Sequence, residues 1–211
     1  MFDLSFLFGA TVADLNKLTW KNIEAKIPTP RNACATAVVV NELLVFGGKT
    51  EGDRILSIVE AFHAKEKSWR ALPSMPTARD GCAAVSITDG KVLVMGGFDG
   101  SFYLNRVEML GVETGTWITL PSMKTKRYGC CAGMVANYVI AAGGFDGRRR
   151  LVSAELYNPT TQKWTNLPNM KYPHSFGAMA VIGTKVYVFG GSGESRAEVF
   201  DLEIRQWASL P

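Results

Sequence analysis

Several kinds of chemistry are short of residues in this chain. Only 2 histidines occur in 211 residues, His63 and His174, which leaves little for hydrolytic or metal-oxidase work. The 4 cysteines contain no CxxC spacing, so the usual zinc arrangement is excluded and no metal or cofactor is expected. No apolar run approaches the ~18–20 residues of a membrane-spanning helix. A net charge of +4 is too small to argue by itself for nucleic acid. Near the N-terminus, Phe2, Leu4, Phe6, Leu7 and Phe8 are apolar, and Ala10-Thr11-Val12-Ala13 resembles a cleavage site. No basic residue precedes this stretch and Asp3 interrupts it, so it lacks the charged start of a signal peptide. A soluble cytoplasmic protein is expected.

What the chain does have is a repeat. Double glycines end the apolar runs Leu43–Gly48, Val92–Gly97, Val139–Gly144 and Val186–Gly191, spaced by 49, 47 and 47 residues. A tryptophan follows each (Trp69, Trp117, Trp164, Trp207), with Trp20 one period upstream. Between glycines and tryptophan lies a glutamate in an apolar setting, at Glu60, Glu108, Glu155 and Glu198.

Each period reads as four short strands. In the second, Cys82–Ile87 is apolar and ends at Asp89-Gly90, a tight-hairpin signal. Val92–Met95 has the continuous apolar character of a strand buried on both faces. Val107–Leu110 and Thr116–Leu120 follow as outer strands, joined across Glu113-Thr114-Gly115. Nothing has a sustained helical period. Four-strand units recurring every ~50 residues predict an all-β propeller. In it the glycines permit sharp turns, the tryptophans pack between blades, and the glutamates satisfy backbone or arginine donors.

The order strand, double glycine, glutamate, tryptophan, LPxM resembles the kelch repeat over roughly residues 20–211. Gly96–Gly100 and Gly143–Gly147, both GGFDG, are most similar to kelch-like (BTB–kelch) proteins; Lys49–Gly52 and Ser192–Glu194 replace FDG in the other two repeats. The resemblance implies a kelch-type β-propeller of four blades, residues 27–72, 73–120, 121–167 and 168–211, after a degenerate partial blade over 1–26. Kelch propellers typically close on about six blades. Two readings of the count therefore stay open: a truncated or spliced form of a longer protein, or a small ring of four or five blades.

Strand direction places the loops leading into each first strand on the same face as those joining second to third strands. Together these loops carry a net +7 against +4 for the whole chain, centred on Lys124, Lys126 and Arg127 and on Arg148, Arg149 and Arg150 of the third repeat. Such a face suits acidic peptide segments, with Phe98, Tyr103, Tyr128 and Phe145 as apolar anchors. The aromatics show no stacking-platform pattern, so nucleic acid is disfavoured, and no small-molecule substrate is expected. The kelch-like resemblance implies partner contacts at Asn32, Asp80, Tyr128 and Ser175, at Phe98 and Phe145, and at Tyr103 and Arg150. Arg31, Arg79 and Arg127 recur in phase, with His174 in the fourth repeat, and divide between fold and binding. Cys34, Cys82 and Cys130 are repeat-equivalent and read as small packing residues near the axis, with Cys131 beside them. His63 is expected in the turn between third and fourth strands and His174 just before a first strand, on opposite faces, so they cannot form one site. The expected function is non-enzymatic protein binding. The resemblance further implies substrate recruitment to a cullin-3 ubiquitin ligase, without the BTB and BACK regions, or alternatively actin binding; an enzyme is the least favoured class.

Overall fold

A computed structural model describes residues 25–88 and 90–211. The partial blade expected over residues 1–26 therefore lies, apart from its last two residues, outside the described residues, as does Asp89 of the expected hairpin turn. Within these bounds, 16 strands form four antiparallel sheets, each made of four strands consecutive in the chain.

The first blade comprises β1 (Ala35–Val39), β2 (Glu42–Phe46), β3 (Val59–His63) and β4 (Ser68–Leu72). The second holds β5 (Ala83–Ile87), β6 (Lys91–Met95), β7 (Val107–Gly111) and β8 (Thr116–Leu120). The third holds β9 (Cys131–Val135), β10 (Tyr138–Ala142), β11 (Ala154–Asn158) and β12 (Lys163–Asn166). The fourth holds β13 (Ala178–Ile182), β14 (Lys185–Phe189), β15 (Ala197–Asp201) and β16 (Gln206–Ser209). The expected strands of the second repeat recur with shifts of a residue: Lys91 joins β6 because it pairs with both Ile87 and Gly111.

Burial explains the sequence texture. The second strand of a blade is covered on both faces, so Val92, Leu93, Val94 and Met95 are all inaccessible and the run is apolar throughout. The fourth strand lies at the rim, and β4 and β8 bury fully only their last residue.

The innermost strands pack in succession, β1 on β5, β5 on β9 and β9 on β13. Leu44, Phe46, Val59 and Ala61 of the first blade meet Val92, Val94 and Leu110 of the second in one apolar cluster, and equivalent clusters fill the next two junctions. Three tryptophan indoles donate to a carbonyl just past the previous blade's rim strand: Trp117 to Pro73, Trp164 to Pro121 and Trp207 to Pro168, each at 2.9 Å. Trp164 is buried and Trp117 only half-buried, less than its expected packing role implied.

The double glycines do more than turn the chain. At Gly143 a Cβ would stand 2.0 Å from the His174 carbonyl, and the next residue, Gly144, donates to that same carbonyl at 2.6 Å. The chain leading into one blade thus rests directly on the glycines of the blade before it. Nearer the axis a second set of backbone bonds joins neighbours, Gly81 to Ala33, Gly129 to Gly81 and Phe176 to Gly129, at 2.7–2.8 Å.

The first and fourth blades differ from the middle pair. Ala178, Ala180 and Ile182 stand where Ala83, Val85 and Ile87 stand in β5, yet they are exposed, Ile182 at 59%. On the far side of the first blade Val38 is 62% exposed. Among the described residues no packing comparable to the three junctions joins β13 to β1.

Candidate functional site

A buried pairing to a glutamate recurs in every blade, from an arginine in three and a histidine in the fourth. The Arg127 guanidinium donates to the carbonyls of Gly143 and Ser153, both at 2.8 Å, and to the Glu155 carboxylate at 3.0 Å. Arg79 bonds Gly96 O at 2.8 Å and Arg106 O at 3.2 Å and pairs with Glu108 at 2.9 Å. Arg31 bonds Gly47 O and Ile58 O and pairs with Glu60. In the fourth blade His174 takes the same place, with Nδ1 2.7 Å from Gly190 O and Nε2 3.1 Å from Glu198. The repeated glutamates thus have the partners expected of them.

The three arginine side chains and the His174 ring are fully inaccessible. Arg31, Arg79, Arg127 and His174, which the sequence divides between fold and binding, therefore spend their side chains on contacts within the fold. The arginine pairings also change the charge of the face. Three of its positive charges are neutralised internally by glutamates, and what remains exposed is concentrated on the third blade, as Lys124, Lys126, Arg148, Arg149 and Arg150.

The remaining candidates come together. Above each blade the residue after the buried cation pairs with the residue after the double glycine, which pairs in turn with the following loop. These small ladders are Asn32–Lys49–Ile55, Asp80–Phe98–Tyr103 and Tyr128–Phe145–Arg150. In the fourth blade the Ser192 amide donates to Ser175 O at 2.7 Å. The lead-in loops and the second-to-third loops therefore share one face.

On that face the aromatics form a continuous chain. Phe98 and Tyr103 are 5.0 Å apart between ring centroids, Tyr103 and Tyr128 5.7 Å, and Tyr103 and Phe145 5.4 Å. The chain ends on Phe176, 5.0 Å from Tyr128 and 50% exposed. Phe176 is absent from the sequence-derived set, because its in-phase equivalents are Ala33, Gly81 and Gly129, none of them aromatic. Ser175 and Asp80 are buried, whereas Asn32 is exposed.

The arginine tract is held by Asp146, whose Oδ1 accepts the amides of Arg148 at 2.7 Å and Arg149 at 2.9 Å. Those amides, Arg149 first, keep the Asp146 carboxyl below its ordinary value of 3.8. The Arg148, Arg149 and Arg150 side chains remain exposed. Asp80 is the opposite case: burial raises its carboxyl, with the Tyr128 hydroxyl, donating at 3.3 Å, pulling the other way.

The other chemically suggestive residues lie apart. His63 is the last residue of β3 rather than part of the turn, with its Nδ1 accepting the Glu66 amide at 3.1 Å. Cys34 is half-buried, while Cys82, Cys130 and Cys131 are buried, and burial pushes these three thiols up to about 12, 11 and 12. Among the described residues no group of three or more His, Cys, Asp or Glu is placed to hold a metal, and no helix is long and apolar enough to cross a membrane.

Four sheets of this topology, stapled by buried ion pairs and bearing one aromatic face, define a kelch-type propeller architecture. The chain belongs to the Kelch-repeat family: residues 7–191 match the KLHDC2/KLHL20/DRC7 Kelch-repeats domain and residues 173–211 the Kelch motif. A search of the curated proteins finds no match. Among solved structures the chain is similar to one described as "Structure of YjhT", with a TM-score of 0.77 at 16% identity, covering 90% of this chain and 68% of that one. At that identity the likeness concerns the fold alone.

Proposed function

We propose that this chain is a non-enzymatic recognition scaffold that holds a segment of a partner protein across the aromatic face, with the acidic part of that segment over the third blade. One observation carries the reading: five aromatic rings packed in succession run across the face, with one branch ending on Phe176 and the other on Phe145, beside three exposed arginines. Half-exposed aromatics give large contact area at low ordering cost, and arginine forks grip carboxylates in pairs. The raised thiols and the separated histidines supply no activated nucleophile or base, which favours binding over catalysis.

Within a longer cytoplasmic BTB–kelch protein, the same face would recruit a substrate to a cullin-3 ubiquitin ligase. Actin filaments are the alternative partner, and co-sedimentation separates the two. Reversal of Arg148, Arg149 and Arg150 to glutamate should abolish capture of the partner set in affinity purification read by mass spectrometry. The melting temperature should hold, because the three side chains are exposed. An unchanged set of partners would remove the arginine tract from the binding site.

A further inference from the structure

Where the first and second blades meet, the aromatic face opens into a groove of about 450 Å³, lined among others by Asp53, Asp80, Phe98, Tyr103 and Tyr128, with Lys49 also on its wall. Its chemistry is unlike that of the third blade. The Asp80 side chain is buried, with the residue 2% exposed, and its Oδ1 has no hydrogen-bond partner. Its Oδ2 accepts a long 3.3 Å bond from the Tyr128 hydroxyl. Lys49 does not satisfy it, because its Nζ is held by Asp53 Oδ1 at 2.7 Å. Around this carboxyl stand Phe98, Tyr103 and Tyr128, with centroids 5.0–6.3 Å from one another.

A buried carboxyl oxygen without a donor is costly and seeks one. Aromatic faces attract cations, most strongly where water is excluded. An acidic ligand group would be repelled here, and an apolar one would leave Oδ1 unpaired. A guanidinium meets both demands: it forks onto a carboxylate, stacks on rings and sheds water more readily than an ammonium. The loose Tyr128 bond is what such a cation would displace. Resting on the reading of this face as a protein-binding surface, we infer that the groove is a subsite for a basic side chain, arginine first, of the bound segment. The segment is then dipolar, with its basic residue over the first two blades and its acidic residues over the third.

The test is a random peptide display library panned on the whole chain, followed by calorimetry with one enriched synthetic peptide. Enriched peptides should carry an arginine or lysine at a fixed distance from an acidic cluster. Replacing that residue with glutamine should weaken binding about tenfold to the parent chain and less than about twofold to D80N, since a charged hydrogen bond is at stake. Y128F, which removes the competing hydroxyl, should bind the basic peptide more tightly than the parent. Enriched peptides with acidic residues alone, or an equal glutamine effect on parent and D80N, would overturn the subsite and leave the aromatic face intact. A library with no enriched peptide would overturn both.

Discussion

Asp80 concentrates the tension between folding and binding in a single residue. It is almost fully buried, one oxygen lacks a partner, and burial raises its carboxyl above the ordinary 3.8. A carboxyl raised in the folded state costs stability when it ionises. The cost is absent where folded and unfolded chains are both protonated, grows as pH rises through the ordinary and then the raised value, and persists at neutral pH. D80N carries no charge to bury, so it should be more stable than the parent at pH 7 by about 1 kcal/mol. The advantage should fade towards about pH 3, as urea titrations at both pH values would record. The same substitution should lose the basic peptide. Stability and recognition then move in opposite directions at one side chain, as expected of a functional residue rather than a structural one.

At the scale of the strand and its loops, the ion pair is what makes a blade a unit. Arg127 reaches from the chain leading into β9 to the end of β10, through Gly143, and to the start of β11, through Ser153 and Glu155. Truncating it strands a buried carboxylate and two carbonyls, so R127A should cost about 3–5 kcal/mol in denaturant unfolding. Reversing the three neighbouring exposed arginines should cost almost nothing. That contrast was only half legible in the sequence. Phase showed that Arg31, Arg79 and Arg127 recur, and recurrence is what both a structural staple and a repeated contact would produce. The glutamates 28 or 29 residues later are the partners, and pairing them with the arginines requires knowing that the third strand folds back beside the lead-in loop. The strands themselves were readable, because burial on two faces, one face or neither leaves distinct apolar patterns. Phe176 was not readable, since it replaces small residues and follows no period. The Asp80 groove was also hidden, because its walls come from three separate repeats.

For the whole molecule, the decisive fact is that among the described residues the apolar junctions join only blades consecutive in the chain. Blades two and three are covered on both sides, whereas β13 and the far side of β1 present Ile182 and Val38 to solvent. Nearest-neighbour stacking makes stability a sum of blade and junction terms. Amide hydrogen exchange should therefore be slowest in β6 and β10 and faster in β2 and β14, and uniform protection across the four would contradict the model of independent junctions. The rule that double glycine receives the next lead-in carbonyl has a consequence for engineering. The Gly48 amide donates to Arg79 O, that of Gly97 to Arg127 O and that of Gly144 to His174 O, at 2.6–2.9 Å. Such a joint is a standard coupling, indifferent to which module lies beyond it. A duplicated copy of residues 121–167, spliced in after Leu167, would present the same plug to the blade before it and the same socket to the blade after it.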